Sequence, residues 1–228
     1  MDRKGELKSL WKEVFGDTDE YIERFFGEYY SPELCVYSVR DGRTAAAAYL
    51  MPAGDFMQPD GGSVPCAHIY AVGVLPEYRG LGLGKDVTER CAMLGLERGF
   101  GAVILHPADE GLFRFYKSLG FYTSFYEAPC LKSPGRGLLP ISVGEYRSLR
   151  ETYLQGTAHV NLDIKALEYF ESQGGQFFKG ENFCMAKDDG VVKEYLYPGF
   201  APPEDGIPFG MSYGKKLCTG GWLGLVFD

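Results

Sequence analysis

The order of elements along these 228 residues predicts an α+β fold, three-layer α/β/α by other schemes. Three observations carry that prediction. Two amphipathic helical patterns open the chain, and a meander of β-rich segments follows them. A β-branched and aromatic run from His68 then breaks at Pro76 and passes through glycines into a helix and a further strand, a right-handed crossover unit.

Each element has a local cause. Leu7, Leu10, Trp11 and Val14 fall at i, i+3, i+4 and i+7, a helix that ends at Gly16. Asp17 or Thr18 caps a second, whose face is Ile22, Phe25, Phe26 and Tyr29 and which stops before Ser31-Pro32. Residues 34–40 and 44–51 form a hairpin through Asp41-Gly42, and 53–66, rich in Gly, Pro and Asp, reads as a loop with some hairpin character. Lys85 to Arg98 carries Val87, Cys91 and Leu94 at helical spacing and stops at Gly99. Ala102 to Leu105 is a short apolar strand. Asp109 caps a helix bearing Leu112, Phe115 and Leu119 and closed by Gly120, and 121–131 supplies the unit's last strand.

Residues 132–139, with Pro134, Gly135 and Gly137, read as a linker, and the pattern then returns in part. Ser142 and Glu145 make a capping box for a helix with Tyr146, Leu149, Tyr153 and Leu154; a second helix spans about 163–173. Strands at 176–179, 182–187 and 191–197 follow, the last two joined at Asp189-Gly190, then a loop at 198–208 and final strands at 209–213 and 222–227. Helix, helix, strand, Asp-Gly, strand thus occurs twice, which divides the chain into 1–131 and 140–228. An unrelated α+β extension is the alternative for the second part.

Composition narrows the function. With 45% hydrophobic and 15% aromatic residues the chain can bury one large core or two small ones. No apolar run approaches the roughly 20 residues that span a bilayer, and the start Met-Asp-Arg-Lys lacks the apolar core of a signal peptide, so a cytoplasmic protein without a membrane partner is expected. The six cysteines are scattered, without C-x-x-C spacing, which supports neither a disulfide framework nor a metal site. A net charge of −8 argues against nucleic acid and suits a cationic partner such as an amine.

The glycine-rich turn is an anion cradle. Gly80, Gly82 and Gly84 permit φ > 0 and close approach of a ligand, and the helix start presents unpaired N–H groups. Its register excludes two common phosphate loops. For G-x-G-x-x-G from Gly80 the third position is Lys85, and for G-x-x-x-x-G-K-[ST] before Gly84-Lys85 the first is Arg79, with Asp86 where the hydroxyl should stand. What fits is Arg79-x-x-Gly82-x-Gly84, preceded by Val74-Leu75-Pro76-Glu77-Tyr78. That stretch, together with Leu112-Phe-Arg-Phe-Tyr116-Lys-Ser-Leu-Gly-Phe121 downstream, resembles the coenzyme A and second motifs of the GCN5-related N-acetyltransferase (GNAT) family.

The resemblance covers residues 5–128 and implies a mixed, mostly antiparallel sheet, followed by a smaller, degenerate GNAT-like half without its own coenzyme site. It implies acyl transfer, most often acetyl from acetyl-CoA, to a primary amine of a small molecule or protein by direct attack, without a metal. Arg79, Gly80, Leu81, Gly82, Leu83, Gly84 and Lys85 would hold the diphosphate, and the strand edge from Val72 to Val74 the pantetheine arm. Asp109 stands where the family often has a pantetheine-binding Asn. Tyr116 takes the place of the tyrosine that protonates the departing thiolate. For the base, His68 precedes Val74 by six residues, near where some relatives present a carboxylate; Tyr70 and Val72 share its face unless a bulge intervenes. His106, before Pro107, reads as a turn residue. A non-catalytic acyl-CoA-binding module is the alternative function. The layout is also similar to acetyltransferases of the enhanced-intracellular-survival type, in which the chain terminus reaches the active site, so the Asp228 carboxylate is a further candidate base, and a water relay, which many members of the family use, is a third.

Overall fold

The structure is a computed structural model that describes residues 2–127, 137–203, 206–218 and 220–225. The chain opens with α1 (Arg3–Phe15) and α2 (Asp19–Arg24), the second extended by a π-helical turn at Phe25–Tyr29. Thr18 is the cap, its hydroxyl accepting from the Tyr21 amide at 3.2 Å. Strands β1 (Cys35–Arg40), β2 (Arg43–Met57) and β3 (Ser63–Val74) form the meander; α3 (Leu83–Glu97), β4 (Ala102–Leu105), α4 (Glu110–Ser118) and β5 (Tyr122–Glu127) complete the first half. Then come β6 (Leu139–Pro140), α5 (Val143–Leu154), β7 (His159–Leu162), α6 (Ile164–Ser172), β8 (Gln176–Gly180), β9 (Phe183–Asp188), β10 (Val191–Leu196) and β11 (Ile207–Gly214).

Two sheets result. The larger runs β1-β2-β3-β4-β11-β5 with β7 added to β2; only β3 and β4 pair in parallel, as the crossover through α3 requires. The smaller is antiparallel, in the order β10-β9-β8-β6. The chain therefore has the mixed, mainly antiparallel α+β architecture expected of it, with a second sheet in its C-terminal half.

Four strand assignments differ from the sequence reading, all for want of a visible partner; the first is β7, which stands between α5 and α6 where two successive helices are expected. Residues 53–66 are a loop only at the tip: β2 continues to Met57 and β3 starts at Ser63, because the two pair there and β7 docks on the outer edge of Gly54 to Met57. At Gly54, φ is 113° and a side chain would strike the Asn161 carbonyl, so β7 can lie there only against glycine. Residues 209–213, read as part of the second half, lie within β11, which inserts between β4 and β5 of the larger sheet. At the C-terminal end, Gly221 and Trp222 make single bridges to Phe125 and His159 and residues 223–225 add no ladder, while 226–228, including the end of the expected strand and Asp228, lie outside the described residues.

The larger sheet is buried on both faces. Ala46, Ala48 and Leu50 of β2, with Ala67 and Ile69 of β3, pack toward α3 and α4; Ala47, Tyr49, Met51 and Tyr70 pack toward α1 and α2 around Trp11 and Phe25. Two-sided burial explains the unbroken apolar reading of 45–51. A third core, containing Phe56, Phe125, Tyr146, Phe177, Phe209 and Trp222, joins the second half to the sheet.

Inside that core sits an ion pair, Arg150 with Glu194, both fully buried. The guanidinium reaches Glu194 at 3.0 Å, the Val160 carbonyl at 2.6 Å and the Leu223 carbonyl at 3.0 Å; Glu194 also accepts from Trp222 Nε1 at 2.6 Å and from the Tyr146 hydroxyl. Removing one partner leaves a buried charge uncompensated, which costs about 3–5 kcal/mol. Urea unfolding should show a loss of that size for Arg150→Met. The double variant with Glu194→Leu should recover only part of it, since Tyr146, Trp222 and two carbonyls lose partners as well. A single-variant loss below about 1 kcal/mol would count the network out as the tie between these segments.

Candidate active site between two parting strands

The ladder of β3 with β4 is short: Cys66, Ala67 and His68 pair with Ala102, Val103 and Ile104, and from Ile69 onward β3 has no partner on that edge among the described residues. Ala71 explains the parting. Its φ is +50°, and one extra residue of β3 stands against β2 between Tyr70 and Gly73, a bulge that bends the strand away. The bulge also reverses the alternation. Val72 and Val74 pack with the α3 side, while Gly73 faces Leu10 and Phe15 of α1, so Val72 does not share a face with His68 and Tyr70.

A cleft of about 240 Å³ occupies the gap. Trp11, Phe15 and Asp17 wall it from α1 and the following turn, His68 to Val72 from β3, His106 and Ala108 from the loop after β4, and Leu112 and Tyr116 from α4. Tyr116 and His68, the two candidates for acid and base, both line this cleft. Sequence reasoning missed Trp11, Phe15 and Asp17, which at helical spacing look like core and cap, and gave His106 only a place in a turn. The Trp11 indole donates to Asp17 at 2.7 Å and holds that carboxylate at the cleft wall.

The glycine turn lies at the end of β3. Gly80 and Gly82 both have φ of +79°, and Gly82 is the residue before α3. The first bond of α3 runs from the Asp86 amide to the Gly82 carbonyl at 3.0 Å, so the amides of Leu83, Gly84 and Lys85 precede the ladder and are open to a ligand. Arg79 donates to the Val74 carbonyl at 3.3 Å, and Leu81 and Lys85 are exposed. Asp86, the nearby negative charge, is engaged by Ser38 at 2.6 Å and Arg90 at 3.0 Å, which hold its carboxyl below the usual range. The turn therefore meets the demands of a diphosphate: open amides, a helix start and two exposed cationic side chains, Arg79 and Lys85, the latter in a loose pair with Glu89 at 3.8 Å. Asp109 is the cap that the sequence predicts, its carboxylate accepting from the Leu112 amide at 2.9 Å.

Burial sets the proton states. The Tyr116 phenol is pushed up to about 12 by burial, helped by the Asp109 charge, and stays protonated. His68 is pushed down to about 3, by burial first and by His106 second, which takes it out of the range useful to a titrating base. His106 donates from Nδ1 to the Phe209 carbonyl of β11 at 2.5 Å, its ring 4.5 Å from the Phe209 ring. His159, the third histidine, is tied to Thr157 and Glu151 in the second half. Five free cysteines are described, and burial pushes the thiols of Cys66 and Cys91 up to about 12. Among the described residues no three His, Cys, Asp or Glu side chains converge as a metal site, and no helix is long and apolar enough to cross a membrane.

The depression of His68 links stability to pH. Its folded value lies below the ordinary 6.5, so between the two the unfolded chain binds more protons; this contribution is complete above 6.5 and is lost as pH falls toward 3. Between pH 6.5 and 5 the parent should lose up to about 1.4 kcal/mol per pH unit from this group. Urea titrations of His68→Leu should show that slope removed; an unchanged slope would mean that His68 is charged in the folded protein.

A family profile described as an acetyltransferase (GNAT) domain matches residues 3–124. Mycothiol acetyltransferase of Thermobispora bispora is 39% identical over 66 residues, 28% of this chain and 22% of that one. A GCN5-related N-acetyltransferase of Kribbella flavida superposes with a TM-score of 0.64 at 19% identity, over 85% of this chain and 54% of the other. A conserved protein of Enterococcus faecalis does so with 0.67 at 13%, over 93% and 70%. The chain thus spans about a fifth of the first relative and about half of the second. The structural likenesses speak to the fold; the profile spans more than half of the chain, including both the glycine turn and the Tyr116 helix, and on it the chain belongs to the GNAT acetyltransferase family.

Proposed function

We propose that this acetyltransferase moves the acetyl group of acetyl-CoA to a primary amine by direct attack, in the gap between β3 and β4. The observation that carries the reading is that one unpaired strand edge, Ile69 to Val74, runs from a cleft holding Tyr116 to the glycine turn at α3. An extended pantetheine arm can pair with that edge as an added strand does, near Val72 and Val74. Its diphosphate then falls on the amides from Gly80 to Lys85, beside Arg79. Tyr116, neutral and lining the cleft, supplies the proton for the departing sulfur.

The acceptor enters on the other face, past Trp11, Phe15 and Asp17. The acidic net charge and Asp17 favour a cationic amine, on a small molecule or a protein, over nucleic acid or a membrane surface. Residues 1–131 carry the coenzyme site in this reading, and 140–228 wall the acceptor side. Tyr169 of α6 supports that division of labour, bonding Tyr21 at 3.0 Å and Tyr70, a cleft residue, at 3.4 Å. Free, buried thiols favour a reducing compartment, and the cytoplasm is the proposed location.

Two substitutions test the two ends of the site. Gly82→Asp keeps a residue that tolerates φ > 0 and caps helices but sets a negative charge in the cradle. Isothermal titration with acetyl-CoA should show at least about a tenfold weaker Kd, and parental affinity would move the coenzyme elsewhere. Tyr116→Phe should lower kcat by about 100-fold to 10,000-fold with acetyl-CoA affinity unchanged. Coenzyme binding without thiol release, across a screen of primary amines, would favour a sensing module instead.

A further inference from the structure

Resting on that reading, we infer that His106 is the group that deprotonates the attacking amine, through Nε2. The tautomer is fixed by a backbone contact. A carbonyl oxygen can only accept, so the bond of His106 Nδ1 to the Phe209 carbonyl places the proton of the neutral ring on Nδ1 and leaves the lone pair on Nε2. The Phe209 ring beneath it holds the orientation.

The sheet separates this base from the acid. Phe209 belongs to the core shared with the second half, as do Ala102 and Ile104, whose alternation along β4 His106 continues. Tyr116 belongs to the opposite core, with Val103, Leu105 and α3. Both rings nonetheless line the one cleft, because β3 and β4 have parted there. An amine arriving from the His106 face therefore meets a thioester whose sulfur lies toward the Tyr116 face. The titratable groups facing His106 are His68 and Tyr70 from β3, Asp17 from the turn after α1 and Tyr116 from α4; among the described residues no lysine or arginine lines the cleft. Of the two imidazoles, His68 is fully enclosed while His106 is half-buried and can exchange its proton with solvent.

The step balances within these groups. The amine nitrogen bonds to the carbonyl carbon, the carbon–sulfur bond breaks with its electron pair leaving on sulfur, and the nitrogen's surplus proton passes to His106 Nε2. Tyr116 protonates the sulfur, and exchange with water resets both side chains.

The chain has three histidines, so single substitutions assign each imidazole in a ¹⁵N spectrum. The expected spectrum of the full chain, with and without coenzyme A, has His106 protonated on Nδ1 at alkaline pH and titrating reversibly. Kinetics would use benzylamine, spermidine and a lysine-bearing peptide as acceptors, keeping the fastest. The acid limb of its kcat/KM profile should coincide with the His106 midpoint. His106→Ala and His106→Asn should each lose about 100-fold to 10,000-fold in kcat and the acid limb, with acetyl-CoA affinity and Tm near parental. The asparagine amide can still donate to Phe209, so an active His106→Asn would reduce His106 to a structural tie and overturn the inference. A proton on Nε2, or a parental profile in His106→Ala, would overturn it as well. Coenzyme binding with no turnover of any acceptor would instead remove the transferase reading, and the base with it.

Discussion

The constraint on which the site depends is the parting of β3 from β4 after three residue pairs. Parallel strands joined through a helix ordinarily stay paired along their length, and a buried edge with open amides and carbonyls is costly unless something else pairs with it. The Ala71 bulge forces the divergence, and the outcome is a backbone edge, a passage between the two faces of the sheet, and a helix start at the far end of the same strand. In the proposed reading each receives one part of an extended, anionic ligand. None could exist without the others, because the edge, the passage and the helix start share residues 69–83.

The second half is held to this framework by more than an apolar contact. The chain leaves the larger sheet at Glu127, returns to its β2 edge as β7, and re-enters it at Ile207, filling the position between β4 and β5. A strand paired on both edges belongs to the sheet it completes, so the larger sheet is finished by a strand from the C-terminal half. The buried Arg150–Glu194 pair draws α5, β10, the edge of β7 and the C-terminal segment to one point. Such a pair contributes little net stability, and its value lies in the geometry that it excludes, since any other arrangement leaves a charge unpaired.

The three histidines illustrate how environment assigns a task to one residue type. His159 is saturated by Glu151 and Thr157 and serves the second half's packing. His68 is enclosed so fully that its charged form is excluded at ordinary pH, leaving it a neutral wall. His106 lies only two residues beyond the last β3–β4 pair, with Nδ1 tied to the sheet while its ring borders the cleft. Their differences arise from which segments cover them, and a single sequence does not display those segments.

What the sequence determined by itself was whatever depends on neighbours within about ten positions. The helices α1, α3, α4, α5 and α6 follow from apolar spacing and from caps such as Ser142, Asp109 and Gly99; the hairpins follow from Asp41-Gly42 and Asp189-Gly190; and the glycine turn and the Tyr116 helix carried enough local pattern to identify the family. Tertiary structure decided the pairings between distant segments: that 52–57 and 63–67 are strands with β7 on their edge, that β11 belongs to the first sheet, and that Val72 turns away from His68. It also decided that His106 bonds the Phe209 carbonyl and borders the cleft. The reason is physical. Periodicity and turn chemistry are set by backbone geometry and are written locally, whereas an edge, a bulge and a proton state are set by what lies against them, and here that is contributed by residues up to about a hundred positions away.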